Sequence, residues 1–544
     1  MSTFLERLRA LNPEDDGGRR WLFVPIDQLS DAIGPLAAEA PESLAVLLVE
    51  TTWKPRRRPY HRQKLALVLT NQRHFALEQA ERGVHVRYVF SDESYGDVVG
   101  AAADEVGTLR VARPAERELR ADLAPLVEDG RVEVVPHEGW LTSTDEFVES
   151  QGETPPWRMD RFYRHVRRVT GLLMEDGEFA GGKLSFDASN REPWRGDPPA
   201  PDVPTFAPDP ITEEVCALVE ERFADHPGTL REDALPATPD DARTLWRWAK
   251  RRCLPWFGPY QDAMSMESSS LFHSRISPLL HLHRLLPRDV VEEAAALDVP
   301  IESREGFVRQ ILGWREFVRH VHEATDGFRA IPDETGPPPP VGPLDDGASP
   351  SFLGAEEPLP PVFWGDAPSG LLCLDHVVDD VWRDGASHHI TRLMVLSNVA
   401  TLLDVEPRAL ADWFWVAYTD AYDWVVEPNV LGMGTFGTGD LMTTKPYVSG
   451  SAYIDRMGDA CGDCAFDPKA DCPIRSLYWA FLDRHRDALE ENPRLRLPMR
   501  NLAKRADERR EEDRRVFETV REALAAGEEL TPSGLEERLD GDDA

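Results

Sequence analysis

The chain reads as an α/β domain on a parallel, Rossmann-like sheet followed by a large all-α domain, and three observations predict this. Between about residues 20 and 140, short apolar runs alternate with helix-period segments, the pattern of βαβ units. From residue 236 the strand signals stop and tryptophan-rich segments of 3.6 period take over. Between the two lies a stretch rich in Pro, Gly and Asp, the composition of a connection that crosses a surface.

Taken in order, the strand signals are Leu22-Phe23-Val24, Ala45 to Val49, Val84 to Val89, Leu109-Arg110-Val111 and Val132 to Val135, with a helix-period segment from Arg62 to Arg82. Ligands of such sheets sit at the carboxyl ends of the strands. Asp27, Gln28 and Glu50 each follow an apolar run closely and are candidates for small-ligand contacts; as capping and turn residues they have equal standing. A Gly-x-Gly-x-x-Gly fingerprint is absent, so a nicotinamide dinucleotide site of the usual kind is not supported. These signals set the domains at residues 1–140, an interdomain segment at 141–235, a helical domain at 236–505 and a charged extension at 506–544. The interdomain segment carries a basic helix, Arg158 to Arg168, and a Pro-rich loop, Pro337 to Pro361, interrupts the helical domain.

Charge narrows the class. The chain has 97 acidic against 61 basic residues, a net charge of −36, and lysine only at positions 54, 64, 183, 250, 445, 469 and 504. Such a surface suits molar salt, where a Debye length of about 3 Å screens self-repulsion. A halophile's cytoplasm is the expected setting. No apolar run approaches the roughly 20 residues of a membrane span, and no export signal precedes the fold. Net acidity argues against a nucleic-acid partner unless basic residues are gathered in one groove.

Four of the six cysteines follow the order C-x87-C-x2-C-x7-C-P: Cys373, Cys461, Cys464 and Cys472. That spacing gathers thiolates around a metal centre, and a proline after the last ligand is familiar from iron–sulfur sites. Tetrahedral zinc suits four thiolates equally, and composition leaves both open. Disulfides are disfavoured without an export signal.

The helical domain carries further chemistry. His388-His389 opens a helix, and histidine is the side chain best able to give or take a proton near neutral pH; taken alone, a histidine at a helix start is more often structural. Adjacent residues on a helix point apart, so one of the pair at most faces a given substrate. The run His273-Ser274-Arg275-Ile276-Ser277-Pro278-Leu279 places hydroxyls and an arginine before a helix, an arrangement fit for phosphate or for an ordinary cap. Gln310, Trp314 and Arg315 then share one helix.

Together these segments resemble the cryptochrome/photolyase family, in its iron–sulfur bacterial and archaeal branch of prokaryotic (6-4) photolyases and related cryptochromes. The likeness covers roughly residues 20 to 505 and rests on RMDRFYRHVRRVTGLLM (158–174), GGKLSFDASNREPW (181–194), YQDAM (260–264), LFHSRISPLL (271–280), RQILGWREFVR (309–319), HHITRLMVLSNVA (388–400) and the segment from Pro428 to Cys464. The resemblance implies FAD in the helical domain, with Ser274, Arg275, Ser277 and Leu279 near its phosphates and ribityl chain and Gln310, Arg315 and Asp420 around it. It implies a 4Fe–4S cluster on Cys373, Cys461, Cys464 and Cys472, and a 6,7-dimethyl-8-ribityllumazine antenna near Asp27, Gln28 and Glu50. The implied reaction is light-driven repair of (6-4) photoproducts in UV-damaged DNA by a monomer, with His389 as proton donor, His388 as its neighbour, and Asp187, Asp262, Tyr447 and Tyr453 lining the lesion pocket. Trp413 matches the first donor of an aromatic electron route, and Trp364 the next.

The chain departs from the pattern in five places, one of them a loop between Cys464 and Cys472 shorter than the family's. Phe414 stands where the family often has tyrosine, Val426 where it has an acid, and Ile26 where a glycine precedes Asp-Gln; Trp364 lies nine residues before Cys373 rather than eight. A blue-light photoreceptor on the same scaffold is the alternative function, and an iron–sulfur nucleic-acid module fits the cysteines but not the flavin motifs.

Overall fold

The computed structural model describes residues 2–14, 17–332 and 347–541. Residues 337–346 of the expected Pro-rich loop lie outside them. Five parallel strands, β1 (Arg20–Phe23), β2 (Leu44–Thr51), β3 (His85–Ser91), β4 (Leu109–Ala112) and β5 (Val132–Val135), form one sheet in the order β3-β2-β1-β4-β5. Each strand falls on one of the apolar runs. The unbroken Leu44–Val49 run is explained by burial on both faces. Leu44, Val46 and Leu48 pack under Phe75, Ala76 and Ala80, whereas Ala45, Leu47 and Val49 meet Val98, Val99, Leu119 and Leu123 on the other side.

The helix Arg62–Glu81 is the shared wall of the two domains, which is why nearly all of it is buried. Its Leu65 to Val68 join the core of the helical domain, and its Phe75 to Ala80 join the core of the sheet. Within the segment read as a connection, the helix Pro210–Arg222 repeats this bridging: Ile211 enters the sheet core, and Val215, Cys216 and Val219 enter the helical one. The basic helix is present as Met159–Thr170.

The rest of the chain is helical. Its extension is not a free tail: Val516, Phe517, Val520 and Leu524 of the helix Asp507–Ala525 are part of the main core, and the Arg484 guanidinium sits 3.4 Å over the Phe517 ring. Among the described residues no helix is long and apolar enough to cross a membrane.

Candidate active site

Three helices of the second domain widen into π-type turns at Arg309–Arg315, Arg392–Ser397 and Pro428–Gly434. Such widened turns expose backbone and re-aim side chains, and they recur at functional sites. Here all three border one cavity of about 1480 Å³, larger than the roughly 300–1,000 Å³ of ordinary small-ligand clefts. Ser274, Arg275, Ser277, Leu279, Gln310, Arg315, Asp420, His388, His389, Asp187, Asp262, Tyr447 and Tyr453 all line it. Residues spread over more than 260 positions of sequence thus meet in one place.

The inner part of the cavity is built to hold a polar ligand. Arg275 is a non-glycine residue in the left-handed region, with φ of 55°, a conformation that costs on the order of 1–3 kcal/mol and clusters at ligand sites. Its Nη1 donates to Ser270 Oγ at 3.1 Å. Asp420 accepts two bonds from Arg392, at 3.0 and 3.1 Å. Burial alone would raise the Asp420 pKa, but Arg392 outweighs it and holds the carboxyl below its usual range. The Arg315 guanidinium donates to Glu316 at 2.9 Å and lies 4.2 Å over the Trp140 ring. Arg315 Nε, Arg309 Nη2 and His281 Nδ1, all on residues that line the cavity, are buried without a protein partner. Buried polar atoms are almost always satisfied, so these mark where ligand atoms belong.

The outer part is a histidine and carboxylate cluster. His273 stacks on His388 with ring centroids 4.4 Å apart and planes at 6°, and His389 meets His273 edge-on at 5.3 Å. Burial pushes His273 down to about 3 and holds His388 well below the usual histidine value, so both are neutral at pH 7. His389 is different: its side chain is 38% exposed and its Nε2 lies 3.8 Å from Asp262. Asp262 is flanked by Arg191, which also pairs with Asp187. Lys445, Arg191 and Arg494 line the same cavity.

Several placements differ from the sequence expectation. Trp413 does not line the cavity; it sits behind Phe414 and Tyr418, whose rings are 5.1 and 6.0 Å away. Val426 does line it, whereas Glu427 turns away into the core, paired with His322 at 2.8 Å and Arg408 at 2.7 Å. His273, Arg191 and Arg392 were not singled out from the sequence. Arg392 was nonetheless legible, because it stands three residues after His389 and so shares its helix face.

The sheet domain has a second cavity, of about 370 Å³, at the ends of β2 and β3 and closed by Trp415 and Tyr422 from the helical domain. Ile26 and Glu50 line it, but Asp27 and Gln28 do not. The Gln28 amide donates to Ala112 O at 2.8 Å and so closes the crevice between β1 and β4 where the strand order reverses. Burial, aided by Glu116, raises Asp27 to about 7. Glu50 reaches the cavity with its carboxylate already taken by Arg73, at 2.9 and 2.8 Å, and by the Tyr88 hydroxyl at 2.7 Å.

The four cysteines converge. Cys373, near the start of the helix Leu372–Asp384, faces Cys461, Cys464 and Cys472 across a small apolar gap lined by Leu371, Ile454, Phe466 and Ile474. Burial and then the three neighbouring thiols raise the Cys373 pKa. The C-P pair has a local cause: Cys472 is the N-cap and Pro473 the first residue of the helix Pro473–Arg484. Among the described residues, the one group of three or more metal-ligand atoms lying within 4.8 Å of one another is His273, His388 and His389.

Comparison with known proteins agrees with this geometry. The family model described as deoxyribodipyrimidine photo-lyase-related protein matches residues 22–235. A (6-4) photolyase of Agrobacterium fabrum is 33% identical over 505 residues, which span 89% of this chain and 95% of that protein. The crystal structure of a bacterial class III photolyase from Agrobacterium tumefaciens has the same fold, with a TM-score of 0.51 at 14% identity, covering 96% of this chain and 99% of that one.

Proposed function

This chain belongs to the photolyase-related family, and from that premise we propose that it repairs (6-4) pyrimidine photoproducts in DNA by light-driven electron transfer. The observation that carries the reading is the two-part cavity, with a polar inner end and an outer end at which one exposed histidine stands on two neutral ones.

FAD fits the inner end: its phosphates would meet Ser274, Arg275 and Ser277, and its ring the Arg392–Asp420 pair, Gln310 and Arg315, with the unpartnered Arg315 Nε and His281 Nδ1 supporting such polar contacts. When bound and reduced, FAD supplies a light-excited electron donor. The chain's own residues then hold the lesion and handle its proton. His389 presents an imidazole to the open side, with Asp262 3.8 Å from its Nε2, and from that nitrogen a proton can pass to a flipped base. His388 and His273, kept neutral by burial, add no positive charge that would drive that proton away. Tyr447 and Tyr453 offer rings to an extruded base, which costs least for a damaged nucleotide. Arg191, Lys445 and Arg494 are placed for the flanking phosphates.

The four thiols, gathered round one apolar gap, suit a 4Fe–4S cluster of the kind the family resemblance implies. The cluster ties Cys373, upstream of the catalytic helix, to the C-terminal segment. Metal analysis of anaerobically purified protein should return about four irons per chain; stoichiometric zinc would overturn this. The sheet cavity, with Trp415 and Tyr422 at its wall, is the place for a planar antenna such as 6,7-dimethyl-8-ribityllumazine, and Glu50 is its one contact among those expected. The setting remains a cytoplasm of high salt, from the charge.

The test is illumination of reduced protein with DNA bearing a (6-4) photoproduct or a cyclobutane dimer, in molar salt. His389→Ala should lower (6-4) repair by about 10²–10⁴ while FAD stays bound. Full repair by that variant would remove His389 as the acid, and no repair by the parent would sink the reading.

A further inference from the structure

The outer histidine cluster has the makings of a second chemistry. We propose that His273, His388 and His389 form a binding site for a divalent transition-metal ion of the zinc class, with Asp262 as its nearest carboxylate, and that the bound ion blocks proton donation by His389. The site stands on geometry alone; only the block on repair rests on the repair reading.

The ligand atoms of these histidines, one from each residue, all lie within 4.8 Å of one another. Their convergence has a backbone cause. Adjacent side chains on a helix point apart, but His388 is an extended N-cap residue, with φ of −80° and ψ of 167°, and only His389 has entered the helix. The third ligand arrives on a tight turn. Leu271 takes the left-handed region at φ of 41°, a strained conformation for a leucine, and His273 N closes the turn on Ser270 O at 2.9 Å.

The tautomer of His273 suits a metal ligand. Its Nδ1 lies 2.9 Å from Ser270 O; a carbonyl only accepts, so Nδ1 carries the proton and Nε2 keeps its lone pair. A ring N–H spent on a backbone carbonyl is the usual arrangement behind a ligating histidine. His273 Nε2 and His388 Nδ1 are buried without a protein partner, and His388 is only 7% exposed. Buried nitrogens are seldom left so. Imidazole suits zinc, nickel and copper, whereas Mg²⁺ and Ca²⁺ take oxygen ligands. Entry is from the open side past His389, whose side chain is 38% exposed and whose Nε2 lies 3.8 Å from Asp262.

Binding requires a small movement. Bonds of about 2.0–2.1 Å place tetrahedral nitrogens about 3.4 Å apart, so ligand atoms now within 4.8 Å close by up to about 1.4 Å. Ser270 holds the His273 ring, and His388 lies flat on it at 4.4 Å and 6°. A metal in the plane of one ring cannot lie in the plane of a parallel ring above it, so His388 turns out of the stack. Metal and stack therefore exclude one another. With the ion on His389 Nε2, the nitrogen that would hand over the proton is occupied.

The test uses flavin-loaded protein without DNA, in excess Mg²⁺ so that surface carboxylates are covered. Zn²⁺ affinity, read by competition with a chromophoric chelator, should be weaker by about 100-fold or more in His273→Phe than in the parent, since loss of an outer partner alone costs about 10–100-fold. The four cysteines are the same in both proteins and cancel. Cu²⁺ on the parent should show paramagnetic-resonance splitting from three nitrogens, and from fewer in His273→Phe. In the repair assay, Zn²⁺ should lower the parent rate by about 10²-fold or more, the lower end of what a general acid contributes, and a chelator should restore it; the fractional loss in His273→Phe, whatever its own rate, should be small. Equal zinc affinity in parent and His273→Phe, or parent copper on fewer than three nitrogens, would overturn the site. If His273→Phe fails to fold, His389→Ala, altered at the open side, decides: parental zinc affinity there overturns it. Zinc bound as expected with repair unimpaired would overturn the block. A metal-free parent that repairs nothing would refute the repair reading alone, and the binding data would still decide the site.

Discussion

The two cavities differ in what their polar groups are doing. In the helical domain, charged groups are paired on one side only, leaving Arg315 Nε, His281 Nδ1 and His388 Nδ1 buried and unspent. Around the sheet-domain cavity the polar groups answer one another: Arg73 and Tyr88 saturate Glu50, Lys54 donates to Glu116 at 2.6 Å, and Lys64 donates to Trp415 O at 2.9 Å and Ala421 O at 2.6 Å. Unpaired buried polarity is expensive and persists where a ligand supplies the partner. The helical cavity is thus built around a polar guest, and the sheet cavity is a self-satisfied wall that offers a guest mainly aromatic and apolar surface.

The sharpest way to break this contrast is Arg392→Met. It strands Asp420 in a buried site that is held ionised chiefly by that arginine, and loss of one partner of a buried pair costs about 3–5 kcal/mol. The variant should unfold at lower denaturant and co-purify without flavin. Retention of both stability and flavin would show that the pair does not organise the inner cavity.

A smaller effect is expected at Lys64. Burial lowers its pKa from 10.5 to about 7, with Lys54 and Arg58 adding repulsion. A cation whose folded pKa is depressed opposes folding wherever the unfolded chain would bind the proton, and ceases to do so only above its unfolded value. Its contribution is lost as pH falls from about 10.5 to about 7, and the penalty is complete below that. Stability should therefore rise from pH 7 toward pH 10, at up to about 1.4 kcal/mol per pH unit, and Lys64→Met should flatten that slope. An unchanged slope in the variant would show that the two carbonyls keep the ammonium charged.

How much of this was legible depended on the kind of signal. All five strands follow from apolar runs and their parallel sense from the helix-period segments between them, and burial on both faces leaves its clearest composition in Leu44–Val49. The helical cavity was legible from long ordered motifs such as LFHSRISPLL and HHITRLM, in which neighbouring positions constrain one another. His273 was not, since its place against His388 arises from stacking between segments far apart in sequence, which no local pattern encodes. Asp27 and Gln28 stand beside the cavity rather than in its lining. A polar residue after a strand is placed equally well to meet a ligand or to close the sheet, and here the crevice is closed by the protein itself.

Gln28 offers the finest test of that distinction. Its amide makes one neutral hydrogen bond to Ala112 O across the strand-order reversal, and such bonds contribute about 0.5–1.5 kcal/mol. Gln28→Ala should cost about that much in chemical denaturation, leaving Ala112 O to water or to an unmet acceptor. Because the side chain faces the β1–β4 crevice rather than the cavity at the ends of β2 and β3, chromophore content and antenna fluorescence should match the parent. A chromophore lost from Gln28→Ala at unchanged stability would place the antenna in the crevice after all, and would make the strand-order reversal, rather than the aromatic wall of Trp415 and Tyr422, the binding element of this domain.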